Sequence, residues 1–319
     1  MSGNSREPVA LTIAIPTYNR SGKVLPLVAS ILDQVSDADE VIVSDDGSTD
    51  DTIPRLREIQ GIRVLQNATN QGMVANWNRC LKSANRDWIC IVHDDDLLAP
   101  GALAAMRQAC SLLKEPALIL HDYQGERFDG AFRCTISRPC GWSVLHCPTI
   151  PSGAVVHRSV IDAVGTFDTR FSYCADLEYF ARVAARYPLA IIESPRVVTF
   201  RLHHSNYEFS TWKTKDLLKQ LEDAQSTIIR HAGCDEKARA KTLLQSRMQH
   251  NLTYMLKIAG DLGDRSLVRK IAADIYAYRD GLSLRRKAMI SLAALTGISS
   301  RSALKRILLR KRRKSALSR

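Results

Sequence analysis

The chain lacks any apolar run long enough to cross a bilayer. The best candidate, Ala288 to Ile298, falls far short of the about 20 residues a span needs. It also lacks an opening export signal: Met1 to Pro8 is polar, and the apolar run that follows reads as a strand. Sixteen glycines contain no G-x-G-x-x-G and no G-x-x-x-x-G-K-[ST], which removes the common dinucleotide and P-loop readings. There is no H-E-x-x-H and no G-x-S-x-G, so zincin and lipase-type chemistry lose support. Eight cysteines contain no C-x-x-C pair. Cys134, Cys140 and Cys147 crowd one region near His146, but their spacing fits no common zinc pattern. Without an export signal, free thiols in a reducing cytoplasm are the expectation.

Acidic residues are missing altogether from 281 to 319, where twelve basic residues sit. The formal net charge of +12 therefore belongs to this end, and residues 1–280 are formally neutral. From Ser300 to Lys314, Leu304, Ile307 and Leu308 share a stripe among arginines and lysines. A basic amphipathic helix of this kind suits an anionic membrane surface. A solvated basic end is the competing reading, and nucleic acid is disfavoured because no recognition motif accompanies the charge.

What is present is ordinary globular composition, with 45% hydrophobic and 24% charged residues over 319 positions. The first half alternates strands and helices. Strands are expected at 11–15 (stopped by Pro16), 40–44, 62–65 and 88–92, with helices at 23–34, 52–59, 72–83 and 176–187. Further strands are expected at 117–121, 154–157, 189–192 and 197–200. Such alternation predicts a parallel α/β sheet with helices on both faces. From Trp212 onward the pattern is helical, which places a catalytic domain at 1–210 and a helical appendage at 211–319, with its basic tail at 281–319.

In open α/β sheets ligands bind beyond the carboxyl ends of the strands. Two acidic clusters fall there: Asp45-Asp46-Gly47-Ser48-Thr49-Asp50 after the second strand, and His93-Asp94-Asp95-Asp96 after the fourth. The first is also what a turn and helix cap would use. The second, three adjacent acids after a buried strand, calls for a cation, and hard divalent ions prefer oxygen ligands. On an extended strand end, Asp94 and Asp95 point to opposite sides and serve different groups.

The run Ile15-Pro16-Thr17-Tyr18-Asn19, then Ser44 to Asp50, Asn70-Gln71-Gly72, Asn76-Trp77-Asn78 and His93 to Pro100, resembles the family 2 glycosyltransferases. The resemblance continues through Gly165-Thr166-Phe167-Asp168 and Ala175-Asp176 to Arg201-Leu202-His203. It implies a GT-A fold, a Rossmann-like sheet that binds nucleotide-sugars, and inverting transfer from a UDP- or dTDP-sugar to a hydroxyl of a glycan or lipid-linked acceptor in cell-surface polysaccharide synthesis. By the same resemblance Pro16 and Tyr18 line the nucleobase pocket, Asp46 accepts from the base, Asp94 contacts the ribose, and Asp95 holds Mg²⁺ or Mn²⁺ on the diphosphate. His93 stands where the family's usual first Asp stands. His203 is a candidate further metal or phosphate contact. Asp176 is the implied general base, with Glu178 as rival; two residues apart on a helix they point about 200° from each other, so one alone faces the cleft.

Trp77 and its flanking asparagines could touch sugar, but burial in helix packing is the stronger reading for a large aromatic. The implied setting is the cytoplasmic, membrane-peripheral face of the cell. A sugar nucleotidyltransferase would need a Gly-rich basic loop after the first strand, which Pro16 to Gly22 does not supply. A non-catalytic nucleotide-sugar-binding protein of the same fold is the other alternative.

Overall fold

A computed structural model describes residues 9–122, 131–140, 151–172, 174–199, 217–231 and 265–277, with single positions and pairs elsewhere. Two compact units divide it, Met1–Ala240 and Lys241–Arg319. In the first, β1 (Leu11–Thr17), β2 (Glu40–Asp45), β3 (Arg63–Gln66), β4 (Trp88–Ile91), β6 (Leu118–His121), β7 (Arg133–Ser137), β8 (Ala154–His157) and β9 (Leu189–Ser194) form one sheet. Its order is β3-β2-β1-β4-β8-β6-β9-β7, and β5 (Leu97–Leu98) pairs with β10 (Val198–Thr199) apart from it. The helices are α1 (Ser21–Leu32), α2 (Thr52–Arg57), α3 (Met73–Ser83), α4 (Ala102–Leu112), α5 (Arg158–Val164), α6 (Ala175–Ala184) and α7 (Leu217–His231). The second unit contains α8 (Arg265–Ala277). Among the described residues no helix is long and apolar enough to cross a membrane.

The mixed α/β expectation holds, but the sheet is not wholly parallel. β3, β2, β1 and β4 run parallel to one another, while β8 lies antiparallel between β4 and β6, and β7 runs antiparallel to β9. Periodicity gives a strand but not its direction; β8 looks the same from sequence whichever way it enters. Every residue of β1 is buried, as expected for a central strand covered on both faces.

β1 also runs through Pro16 to Thr17, two residues past the expected stop. The Thr17 carbonyl accepts from Asp46 N on the β2 side, and the Ala14 carbonyl accepts from Val92 N on the β4 side. Backbone groups alternate, so the ring nitrogen of Pro16 faces the β4 side, where pairing has ended at Ala14 and Ile91. The missing N–H thus breaks no ladder bond.

Helix α1 buries Val24, Leu27, Val28 and Ile31, a spacing that lays one apolar stripe on the sheet. Among the described residues Cys80, Cys90, Cys110 and Cys174 are buried and Cys134 and Cys140 half-buried, and none of them forms a disulfide. Cys147, His146, His203 and the tail from 295 onward lie outside the described residues.

Candidate functional site

The carboxyl ends of β1, β2 and β4 are adjacent in the sheet, so their trailing loops meet. The loop after β1 joins the other two. Asp46 N donates to the Thr17 carbonyl, and the Thr17 hydroxyl donates to Asp94 Oδ2 at 2.7 Å. On the same loop Asn19, at φ +50°, donates N–H to Ser48 Oγ at 2.7 Å and accepts Thr49 N–H on Oδ1 at 2.7 Å. Asp46 and Asp94 are therefore one hydrogen-bonded residue apart through Thr17.

The acids of the first cluster divide by role. Asp45 Oδ1 accepts from Gly47 N and Ser48 N, and Asp50 Oδ1 accepts from Thr52 N. These are turn and cap duties. Asp46, 2% exposed, reaches across to the 67–72 loop instead. Its Oδ1 accepts from Asn67 Nδ2 at 2.7 Å and Gln71 N at 2.9 Å, and its Oδ2 from Gly72 N at 2.9 Å. A carboxylate offers about four acceptor positions, so Oδ2 keeps capacity for one more donor. Gly47 permits the close approach: at φ +79° its Cβ position lies 2.8 Å from the Thr69 carbonyl carbon. Pro16 is buried and Tyr18 is 40% exposed.

In the second cluster the chain turns at once, with Asp96 N donating to the His93 carbonyl. The expectation that Asp94 and Asp95 serve different groups fails for that reason. Both accept from Nη1 of Arg20, Asp94 Oδ1 at 2.7 Å and Asp95 Oδ2 at 3.0 Å. Burial pushes the Asp94 carboxyl above its ordinary range, with the Arg20 charge pulling the other way. Burial also works to lower Arg20, but the Asp94 and Asp95 charges outweigh it and hold the guanidinium above its usual value. Arg20 is a site residue the sequence did not disclose.

His93 is a second. One ligand atom each from His93, Asp95 and Asp96 lies within 4.8 Å of the others. His93 Nε2 is buried without a hydrogen-bond partner. Burial lowers its pKa to about 4, with Arg20 adding to the effect and Asp95 opposing it. The ring is thus neutral near pH 7, the state in which imidazole ligates a metal. One imidazole nitrogen with two carboxylates fits a divalent ion such as Mn²⁺.

An aromatic chain braces His93. It stacks on Trp77 at 5.1 Å, Trp77 meets Phe167 edge-on at 5.3 Å, and Phe167 lies 4.4 Å from Tyr179 of α6. Both flanking asparagines are occupied in packing. Asn76 exchanges bonds with Ser44, at 2.6 Å to its hydroxyl and 2.8 Å to its carbonyl. Asn78 pairs with the Phe167 backbone at 2.8 and 2.9 Å. The 76–78 segment therefore builds the site wall.

On α6 the two acids separate as helix geometry requires. Asp176 sits half-buried in the first turn, with Oδ1 accepting from Leu177 N at 2.8 Å. Glu178 is 3% exposed. It makes a two-point pair with Arg182, Nε to Oε1 at 2.8 Å and Nη2 to Oε2 at 2.9 Å. Arg182 in turn holds the carbonyls of Val164 and Thr166, so Glu178 is bound into the fold.

Acids gathered past the ends of two parallel strands, β2 and β4, on either side of β1, lie where open α/β sheets bind their ligands. Residues 12–111 match the family model Glycosyl transferase family 2, and the chain carries a family 2 glycosyltransferase domain of GT-A fold. Over 103 residues it is 34% identical to the GalNAc(5)-diNAcBac-PP-undecaprenol beta-1,3-glucosyltransferase of Campylobacter jejuni, covering 31% of this chain and 33% of that one. It spans about a third to two fifths of the length of the first curated relatives it matches. Among solved structures, S. aureus TarS 1-349 in complex with UDP-GlcNAc aligns at TM-score 0.62 and 15% identity, over 83% of this chain and 81% of that one. Mannosyltransferase PcManGT from Pyrobaculum calidifontis, in complex with GDP-Man and Mn²⁺, aligns at TM-score 0.57 and 19% identity, over 89% and 79%.

Proposed function

We propose that this protein is an inverting glycosyltransferase that moves a sugar from a UDP- or dTDP-sugar to a hydroxyl of a glycan or lipid-linked acceptor in surface polysaccharide synthesis. The observation that supports it best is the Thr17 bridge, which ties Asp46 and Asp94 to one loop past adjacent strand ends. A base and a ribose are a short distance apart in any nucleotide, and the two acids are spaced by the same loop.

In this reading Pro16 and Tyr18 flank the base, and the spare acceptor position on Asp46 Oδ2 receives its N–H. Asp94 orients the ribose. Asp95, with His93 and Asp96, holds Mg²⁺ or Mn²⁺. When bound, the ion neutralises charge gathering on the diphosphate leaving group. Asp176 takes the proton of the acceptor hydroxyl as it attacks the opposite face of the sugar. Its side chain is in part accessible to solvent, whereas Glu178 is buried in a two-point pair with Arg182. His203 is a further metal or phosphate contact of this scheme, outside the described residues. The name of the Campylobacter relative favours a lipid-linked acceptor, and the basic segment 281–319 suits an anionic membrane face.

The test is a panel of nucleotide-sugars, read first by thermal shift with and without Mn²⁺ and then by donor turnover. Stabilisation by one donor class that depends on Mn²⁺, followed by transfer or hydrolysis, is expected. No turnover and no metal-dependent stabilisation with any UDP-, dTDP- or GDP-sugar would leave a binding or scaffolding protein of the same fold.

A further inference from the structure

Arg20 stands against the candidate metal ligands from outside their own segment. It lies at the start of α1, its backbone fixed by N–H donation to Thr52 Oγ1 at 3.2 Å and by its carbonyl, which accepts from Lys23 N and Val24 N. Its side chain is anchored through Nη1 alone, shared between Asp94 and Asp95. Nε and Nη2 have no protein partner among the described residues, and the side chain is 28% exposed. The guanidinium is thus held at one corner, with its remaining donors open. Those donors form the planar fork that matches phosphate oxygens.

Two cations cannot share one carboxylate without repulsion. A divalent ion taking Asp95 meets the Arg20 charge on the same group, so Arg20 weakens metal binding in the protein without donor. A diphosphate supplies the guanidinium with another partner and removes the conflict. We infer that Arg20 is a built-in counter-cation, holding Asp94 and Asp95 in the donor-free protein and transferring to the diphosphate when donor and metal arrive together. This rests on the donor-binding reading above. Arg20 would then couple the two ligands: each binds better when the other is present, by the same factor. The free protein keeps its acids paired and its site low in metal, and the donor brings its own ion.

The experiment measures Mn²⁺ binding to the full chain by electron paramagnetic resonance of free Mn²⁺, with and without UDP. The proteins are wild type, Arg20→Gln, Arg20→Lys and Arg20→Met. Without UDP, Arg20→Gln should bind Mn²⁺ at least about tenfold more tightly than wild type, about 1.4 kcal/mol. Arg20→Met repeats the neutral substitution, so one misfolded variant does not decide the matter. Arg20→Lys keeps the charge and should stay near wild type. UDP should tighten Mn²⁺ binding strongly in wild type and much less in the neutral variants. A tightening on loss of charge is what a merely structural arginine would not produce. Equal or weaker Mn²⁺ binding in both neutral variants, or a lysine variant as tight as they are, overturns the inference alone. No Mn²⁺ binding in any protein, with or without UDP, overturns the donor-binding reading and the inference together.

Discussion

Glu178→Ala should unfold the domain more readily without acting on the reaction chemistry. Glu178 is nearly fully enclosed and pairs with Arg182 at two points. Removing it leaves Arg182 inside the protein, still tied to the Val164 and Thr166 carbonyls but without its counter-charge. Breaking a buried pair from one side costs about 3–5 kcal/mol. The Arg182 side chain is 18% exposed, so some water reaches it and the lower end, about 3 kcal/mol, applies. In a domain of this size that corresponds to a fall in melting temperature of roughly 6–12 °C. Urea denaturation and a melting curve read the stability, and donor turnover per folded protein reads the chemistry at a temperature where the variant is folded. A stability change below about 1 kcal/mol together with abolished turnover would refute the reasoning and make Glu178 the base.

Asp176→Asn is the counterpart: stability and donor binding unchanged, transfer reduced by about 10²-fold or more, and near-normal turnover would remove it from the base role. Stability should fall as pH drops below about 6.5, the ordinary histidine value. Burial holds His93, His121 and His157 below it, so the unfolded chain takes up protons first and ∂ΔG/∂pH is positive; denaturation midpoints rising between pH 7 and pH 5 would contradict this. Deleting residues 301–319 should weaken co-sedimentation with anionic vesicles, and equal binding would reject a membrane role for the tail.

The parts of the site that lie within one strand end were legible in the sequence. Asp46 and the 93–96 cluster follow strands whose apolar runs are plain, and an α/β sheet brings such ends together. Trp77, a large aromatic expected in packing, is buried and contacts His93 and Phe167. Arg20 was not legible, because its partners lie 74 and 75 residues away and meet it only through the pairing of β1 with β4. His93 reads in the sequence as a departure from the family motif; that one of its ring nitrogens gathers with Asp95 and Asp96 is visible only in three dimensions. The antiparallel entry of β8 was hidden for a different reason: alternation reports which face a residue takes, not which way the strand runs. Between Asp176, which the resemblance favours, and Glu178, its rival, the sequence shows the angle but not which side meets the core.

Calorimetric titration of UDP into the protein with Mn²⁺, with EDTA, and into Asp95→Ala with Mn²⁺ tests the account most directly. Binding that requires Mn²⁺ and is lost in the variant is expected. UDP affinity that ignores both Mn²⁺ and Asp95, or no nucleotide binding at all, would contradict it.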